Sequence, residues 1–227
     1  MTDNVYIFPT DTVWGIGAAL SGRTAQKRMA EIKGITRPRP YALIFDQLAH
    51  LAAWFTPAAP LPAYFWQEIL ACHTTLLFPV PWLRKEAAEA AAGRDKVGVR
   101  WQPNEAIEKI WQREQEPIIS TSLNLSGQAP ITDEVVARRF AQQYAADATL
   151  YTAEVLAQAT ASTILAIELA ASLAAIAQVA DAFRATTDVA WFESPIFPLG
   201  KVQVKRGDVT GPLAQALRRM GLDVDRN

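Results

Sequence analysis

Short apolar runs of strand length alternate along this chain with stretches of helical periodicity. Val5–Phe8 and Tyr41–Phe45 are continuous apolar runs that end at or near a proline or a polar residue. Between them, Thr24–Lys33 places its apolar residues on one face and its charged residues elsewhere, which is typical of an amphipathic helix. Such alternation predicts an α/β domain in which helices flank a mixed sheet.

The same patterns predict the other elements of the domain. Asn104 and Thr132 are expected to be helix N-caps, because their side chains accept hydrogen bonds from free main-chain N–H groups. The alanine-rich stretch 153–185 is expected to form one or two helices. We predict further strands at Thr74–Val80, Val97–Trp101, Pro117–Thr121 and Val202–Lys205, and further helices at Asp46–Phe55, Ala63–Leu70, Glu86–Ala92, Asn104–Arg113, Asp133–Tyr144 and Thr210–Met220.

Composition limits the class of protein. The chain has 227 residues, of which 50% are hydrophobic and 20% charged, and this predicts a folded protein of one large domain, or of one domain plus an appended piece. Its net charge of −1 gives no global attraction to nucleic acid or to an anionic membrane. The longest apolar stretch, 161–180, consists mostly of alanine and contains polar residues, so we expect no membrane span.

Cysteine and histidine are scarce. The single cysteine, Cys72, excludes a disulfide within the chain and fits a cytoplasmic location. With only His50 and His73 besides, we expect no metal site made from protein side chains. We interpret His73 as a structural residue rather than a catalytic base.

Pro9–Gly17 is the first stretch with the residues for binding chemistry. It follows a predicted strand and contains the hydroxyls of Thr10 and Thr12, a carboxylate and two glycines. Hydroxyls on a turn can hydrogen-bond the amino or carboxylate group of a ligand, and glycines allow close approach of the main chain. The alternative interpretation is an ordinary strand–turn–strand connection.

Ser120–Gly127 is the second such stretch. Five of its eight residues carry a hydroxyl or an amide, directly after a predicted strand. A loop at the carboxyl end of a strand can offer N–H groups and hydroxyls to phosphate oxygens. It lacks the lysine and glycine spacing of a Walker loop. The alternative interpretation is a surface turn rich in capping residues.

Basic side chains occur near both stretches. Lys33, Arg37 and Arg39 lie on or beside a proline-containing loop and could clamp a triphosphate. Arg100 ends an apolar strand, where it could pair with a carboxylate of a ligand. The alternatives are a solvated charged loop for the first group and a structural ion pair for Arg100.

Taken together and in this order, these segments resemble the YrdC-like family. The family pattern has a proline-threonine-x-threonine turn, a helix ending in lysine-x-arginine, a strand ending in valine-arginine, and a serine-threonine-serine-x-asparagine-x-serine-glycine loop. Pro9–Gly17 and Ser120–Gly127 match it almost residue for residue. The resemblance is clear over residues 5–135 and continues in two short stretches, at Ser162-Thr163 and Arg206-Gly207.

The resemblance implies a fold and an activity. The fold would be one YrdC-like domain over residues 1–227, a twisted open mixed sheet flanked by helices around a concave basic cavity. The activity would be that of a threonylcarbamoyl-AMP synthase, in which L-threonine, bicarbonate and ATP give threonylcarbamoyl-adenylate and pyrophosphate. That product serves the formation of N6-threonylcarbamoyladenosine in tRNA, so tRNA and tRNA-modification proteins are implied partners.

The resemblance also implies roles for individual residues. The substrate L-threonine would be held by Thr10, Thr12, Arg100, Ser120 and Ser162. ATP, with Mg²⁺ on its phosphates, would be held by Lys33, Arg39, Ser122, Asn124 and Arg206. The catalytic groups would be Lys33, Arg37, Ser122 and Asn124.

Departures from the family pattern leave two other functions open. Ile35 stands where the family has the arginine of lysine-x-arginine, so Arg37 or Arg39 is the candidate to replace it. One alternative is a paralogue that binds a nucleotide or double-stranded RNA without synthesis. Another is a carbamoyl-transferring or adenylate-hydrolysing relative on the same fold. Residues 165–200 are expected to be an insertion or a lid, in which the aromatic residues at 191–192 and 197 could cover the cavity, form a contact surface or belong to the core.

Overall fold

A computed structural model describes residues 3–153, 160–169, 173–185 and 199–225. Within these residues, ten strands form one open sheet. In chain order they are β1 (Val5–Phe8), β2 (Gly15–Ala19), β3 (Ala42–Phe45), β4 (Thr74–Pro79), β5 (Lys96–Trp101), β6 (Ile118–Ser122), β7 (Thr149–Leu150), β8 (Thr163–Leu169), β9 (Gly200–Arg206) and β10 (Leu222–Asp225).

The sheet is mixed. Its strand order is β10-β9-β8-β4-β5-β3-β6-β2-β1-β7. The pairs β3–β5, β4–β8, β1–β7 and β9–β10 are parallel, and the other neighbours are antiparallel. The predicted α/β class with a twisted open mixed sheet is therefore confirmed.

Helices connect the strands and cover the sheet. They are α1 (Arg23–Ile32), α2 (Leu48–Ala52), α3 (Gln67–Leu70), α4 (Ala88–Ala91), α5 (Glu105–Glu114), α6 (Glu134–Tyr144), α7 (Leu173–Ala185) and α8 (Gly211–Arg219). Three predicted helices are shorter than expected. The second is only five residues long, and those before β4 and β5 begin as 3₁₀ turns at Ala63–Trp66 and Lys85–Ala87.

Two sequence predictions need correction. Asp133, not Thr132, is the N-cap of α6, because its Oδ1 accepts from the main-chain N–H of Val136 at 3.0 Å. The alanine-rich stretch does not form only helices, since its centre is the strand β8. There Ile164, Leu165 and Ile167 outweigh the surrounding alanines and fit between β4 and β9. Residues 170–172 and 186–198, and with them the predicted aromatic cover, lie outside the described residues.

Alternate residues of the strands face opposite sides of the sheet. The odd positions of β1 and β3, such as Val5 and Leu43, join the main core. The even positions, Tyr6, Phe8 and Ile44, pack instead with Ile107 and Ile110 of α5 in a second, smaller core. This part of the sheet is therefore covered on both faces.

In the part of the sheet formed by β4, β5 and β8, the main core covers only one face. In β4, β5 and β8 the main core takes Leu76, Val97, Val99 and Leu165. The residues between them, such as Gly98, line a cavity on the opposite face, beside the part that α5 covers. No helix of the described residues is long and apolar enough to span a bilayer.

Candidate functional site

A cavity of about 680 Å³ opens on this face of the sheet, a volume in the range of small-molecule sites. It is lined by residues of seven neighbouring strands, in the order β9-β8-β4-β5-β3-β6-β2, and by the loops that connect them. The residues that line it are Thr10, Thr12, Val13, Trp14, Gly15, Pro40, Tyr41, Ala42, Thr75, Leu77, Arg94, Asp95, Lys96, Gly98, Arg100, Ser120, Thr121, Ser122, Pro130, Ala161, Ser162, Ile164, Ala166, Glu168, Gln203, Lys205 and Arg206.

The charged side chains of this lining are mostly basic. Two are acidic, Asp95 and Glu168, and five are basic, namely Arg94, Lys96, Arg100, Lys205 and Arg206. The chain as a whole has a net charge of −1, so positive charge is concentrated at the cavity. A cavity with an excess of cations favours anionic ligands such as carboxylates and phosphates.

The turn between β1 and β2 forms one wall. Thr10 Oγ1 donates to the main-chain oxygen of Val13 at 2.6 Å and accepts from the N–H groups of Thr12 and Val13 at 3.2 and 3.3 Å. The hydroxyls of Thr10 and Thr12 are 3.0 Å apart. These bonds fix the turn, so both hydroxyls stay at the cavity wall.

Close contact between strands holds this turn against the sheet. A Cβ atom added at Gly17 would lie 2.5 Å from the main-chain oxygen of Ile119 on β6. Only glycine allows that approach, because real Cβ atoms do not come so near to a backbone oxygen. β2 thus lies tightly between β1 and β6, and the Pro9–Gly17 and Ser120–Gly127 stretches meet at one end of the sheet.

Arg100 points from β5 into this end of the cavity. Its Nη2 donates to Asp11 Oδ1 and, at 3.0 Å, to Thr12 Oγ1. Burial lowers the pKa of Arg100, the charge of Asp11 raises it, and Arg206 lowers it. The guanidinium is therefore both paired with protein groups and exposed to the cavity on one side.

The Nε of Arg100 has no hydrogen-bond partner. Among buried side-chain nitrogens and oxygens in the described ranges, this is true only of Arg100 Nε and Trp66 Nε1. A buried N–H without an acceptor costs free energy, which an oxygen of a ligand would recover. The unpaired donor of Arg100 thus indicates an anionic or carbonyl oxygen in the cavity.

Lys33 lies behind the serine-rich loop. Its Nζ donates to the main-chain oxygens of Ser122 and Asn124 and to Asn124 Oδ1, the latter two at 2.9 and 3.0 Å. Burial, followed by the charge of Arg39, lowers the pKa of Lys33 to about 8. An ammonium group has three donors, and in Lys33 all three are bonded to protein oxygens.

Asn124 organises the same loop from within. Its Oδ1 accepts from Ser122 Oγ at 2.7 Å and its Nδ2 donates to the main-chain oxygens of Leu125 and Gln128 at 2.9 and 2.8 Å. This network holds Ser122 at the cavity surface. Asn124 therefore shapes the loop, while Ser120 and Ser122 are the residues of it that line the cavity.

The opposite wall comes from the start of β8. Ser162 Oγ is 2.9 Å from Thr75 Oγ1, and the main-chain oxygen of Ser162 accepts from Arg206 Nη2 at 3.5 Å. Gly207, with φ of +85°, follows Arg206 and packs on Thr163. The two short stretches near the end of the chain thus lie side by side at the cavity.

The structure brings most of the predicted site residues together and leaves four outside the lining. Those that line the cavity are Thr10, Thr12, Arg100, Ser120, Ser122, Ser162 and Arg206. Lys33 and Asn124 are buried behind it, whereas Arg37 and Arg39 are exposed on the loop that leads to Pro40. Of the two arginines, Arg39 is near enough to Lys33 for its charge to lower the lysine pKa.

The sequence reasoning missed the group behind Arg100: Asp11 bonds Arg100, and His73 and Gln102 bond Asp11. Asp11 lay within a recognised motif. The available signal was its carboxylate, which could pair with the arginine expected at the same site. No such signal was available for His73, because it is 62 positions from Asp11 along the chain. No group of three or more histidine, cysteine or acidic side chains suited to a metal occurs in the described part of the chain.

The fold is that of the Sua5/YciO/YrdC class, and the chain belongs to that family. The family model, described as telomere recombination, matches residues 2–176. The expectation of a YrdC-like protein is thereby confirmed, over a longer part of the chain than the motifs alone covered.

Individual relatives carry more specific names. A threonylcarbamoyl-AMP synthase of Hydrogenovibrio crunogenus is 29% identical over 56% of this chain and 69% of its own length. The threonylcarbamoyl-AMP synthase of Pyrococcus abyssi is 34% identical over 59% of this chain but only 39% of its own length. The solved structure of Pyrococcus abyssi Sua5 complexed with L-threonine has a TM-score of 0.53 at 24% identity, covering 72% of this chain and 47% of that chain.

Proposed function

We propose that this protein is a threonylcarbamoyl-AMP synthase, which makes threonylcarbamoyl-adenylate and pyrophosphate from L-threonine, bicarbonate and ATP. The observation that carries the proposal is Arg100, which lines the cavity beside threonine and serine hydroxyls and whose Nε has no acceptor among the described residues. L-Threonine offers a carboxylate for such a guanidinium, and its amino group and hydroxyl can bond the surrounding oxygens. The names of the curated relatives support the same activity.

In this proposal L-threonine occupies the end of the cavity near β2, β5 and β6. Its carboxylate binds Arg100, and its polar groups bind the hydroxyls of the turn, of β6 and of the start of β8. The residues with this role are Thr10, Thr12, Arg100, Ser120 and Ser162.

ATP, with its Mg²⁺ held by the phosphates, takes the remaining space. Ser122 and Arg206 contact it from the cavity lining, and Arg37 and Arg39 add positive charge from the exposed loop at the mouth. Lys33 and Asn124 act on ATP through the loop that they hold in shape. Mg²⁺ on the phosphates requires no cluster of protein carboxylates.

The chemistry then needs position and charge rather than a side-chain nucleophile. The threonine nitrogen and bicarbonate give a carbamate with loss of water, and a carbamate oxygen attacks the α-phosphorus of ATP. The new P–O bond forms as the bond to pyrophosphate breaks, so negative charge grows on the leaving group. Cations and N–H donors placed in advance stabilise this charge.

The test is pyrophosphate release by the purified full chain. We expect release only when L-threonine, bicarbonate and ATP are all present, with the Pyrococcus abyssi relative as positive control. Chain-dependent release without L-threonine would indicate another substrate. If the relative works and this chain releases nothing, the proposal is wrong.

A second candidate function is binding of a nucleotide or of double-stranded RNA without synthesis. It is favoured by the position of Lys33, whose donors are all bonded to protein, and by Ile35 at the place of the family's arginine. Its test is filter binding of double-stranded RNA in a salt series. Phosphate contacts predict an affinity that falls steeply with salt, and no binding at low salt would reject double-stranded RNA as the ligand.

A further inference from the structure

Both carboxylate oxygens of Asp11 are hydrogen-bonded to other side chains. Its Oδ1 accepts from Arg100 Nη2 and, at 2.6 Å, from Gln102 Nε2. Its Oδ2 bonds His73 Nδ1 at 2.7 Å. Gln102 also accepts from the main-chain N–H of Asp11 at 3.0 Å, so the carboxylate cannot rotate without breaking several bonds.

The main chain at His73 directs the imidazole toward this carboxylate. His73 has φ of +55°, the left-handed conformation that few residues other than glycine, asparagine and aspartate adopt easily. It directly precedes β4, where Thr74 Oγ1 donates to the main-chain oxygen of Ile69 at 2.5 Å. Such backbone strain persists where the surrounding contacts require it, and here the contact is with Asp11.

The geometry fixes which atom of His73 donates. A carboxylate only accepts hydrogen bonds, so the bond to Asp11 places the hydrogen of the imidazole on Nδ1. Arg100 lines the cavity, whereas His73 and Asp11 are outside its lining. The imidazole of His73 is therefore linked to the cavity through Asp11 and the guanidinium.

We propose that His73 is a positioning residue that, through Asp11, fixes the direction of the Arg100 guanidinium toward the carboxylate of the amino-acid substrate. The identity of that substrate rests on the proposed function. Asp11 and Thr12 occupy Nη2 of Arg100, which leaves its Nη1 and Nε donors for a ligand. A displacement of about 1 Å at such a contact can cost about 100-fold in rate, so an anchor behind the guanidinium has a functional effect.

Two variants separate the side chain of His73 from its backbone strain. His73→Gly accepts the left-handed φ and removes the donor, whereas His73→Asn also tolerates that φ and offers its Nδ2 in place of Nδ1. We expect His73→Gly to raise KM for L-threonine about tenfold, the effect of losing one charge-assisted hydrogen bond. KM for ATP should change by less than about twofold, and His73→Asn should restore most of the loss, because the same donor position is kept.

A purely structural role predicts a different pattern. It would lower the amount of active enzyme and thus kcat, with KM for L-threonine unchanged. An unchanged KM for L-threonine in His73→Gly overturns the proposal. So does an equal rise of KM in the glycine and asparagine variants, because the donor at Nδ1 would then not matter.

A second measurement needs no substrate. In ¹⁵N-labelled protein, the Nε–H resonance of Arg100 is assigned by its loss in Arg100→Lys. We expect it to shift and to exchange faster with water in His73→Gly, and to stay near the wild-type position in His73→Asn. If the wild-type chain releases no pyrophosphate, the proposed synthase activity is wrong, but this spectrum still decides the positioning role. An unmoved resonance in His73→Gly overturns it.

Discussion

The ammonium group of Lys33 donates to both the main-chain oxygen and the side-chain oxygen of Asn124, at 2.9 and 3.0 Å. The two residues are 91 positions apart, and the main-chain N–H of Ser126 also donates to the oxygen of Lys33 at 2.9 Å. The end of α1 is therefore tied to the loop after β6. This tie gives Lys33 a role in the shape of the site before any nucleotide binds.

Replacing Lys33 should destabilise the protein. Lys33→Met keeps most of the side-chain volume but leaves the buried oxygens of Ser122 and Asn124 without their donor. We expect the free energy of unfolding to fall by about 1–3 kcal/mol. Urea unfolding measures it, with Lys27→Met, at an exposed lysine of α1, as the control. Equal stability of the two variants would contradict the structural role of the ammonium group.

The pH dependence of stability should report the same lysine. Burial lowers its pKa to about 8 in the folded protein, below the ordinary value of 10.5, so between these pH values the unfolded chain binds more protons. The free energy of unfolding of the wild type should therefore rise with pH from about 8 to 10.5, relative to Lys33→Met. Urea unfolding of both proteins across this window measures the difference. If the difference in free energy of unfolding between the two proteins does not change with pH, the pKa of Lys33 is not lowered in the folded protein.

Arg100 should require its guanidinium rather than only its charge. Arg100→Lys keeps a cation but cannot bond Asp11 and a ligand carboxylate with the same planar geometry. We expect kcat/KM for L-threonine to fall about 10- to 100-fold, from the loss of a charge-assisted hydrogen bond. Pyrophosphate release at varied L-threonine measures it. Arg138→Lys, at an exposed ion pair with Glu134 on α6, is the control and should leave kcat/KM unchanged.

Arg39 should take the role of the family's arginine, whose position is occupied by Ile35 in this chain. Its charge already acts on Lys33, so it is close to the loop that carries Ser122. We expect Arg39→Gln to raise KM for ATP about tenfold, and Ile35→Arg in that background to reverse most of the loss. Initial rates at varied ATP measure both effects. If Arg39→Gln leaves KM for ATP unchanged, the exposed loop does not contact the phosphates.

Local patterns in the sequence were sufficient for the elements whose partners lie nearby. Val5–Phe8 was predicted with its observed bounds, and the strand that contains Arg100 and the helix that Asn104 caps were predicted within one residue. The cap at Asn104 formed as expected, with its side chain accepting from Ile107 N–H at 3.1 Å. These features depend on alternation, helical period and hydrogen bonds within a few residues.

Features that depend on distant contacts did not follow from such patterns. β8 lies within an alanine-rich stretch and is a strand because β4 and β9 flank it. The bond of His73 to Asp11 and the capture of Lys33 by Asn124 join residues 62 and 91 positions apart. The motifs therefore located the cavity, but the side chains that hold Arg100 and the loop became visible only in three dimensions.

The parallel pairing of β4 with β8 also orders the assembly of the protein. Thr75 and Ser162, whose hydroxyls meet in the cavity wall, are 87 positions apart. While the chain is being synthesised, β4 therefore has an open hydrogen-bonding edge until β8 has emerged, and open edges invite pairing with other chains. Contacts of such long sequence separation form slowly. The cavity therefore forms late in folding. Before β8 pairs with β4, a nascent chain of this protein is most exposed to aggregation.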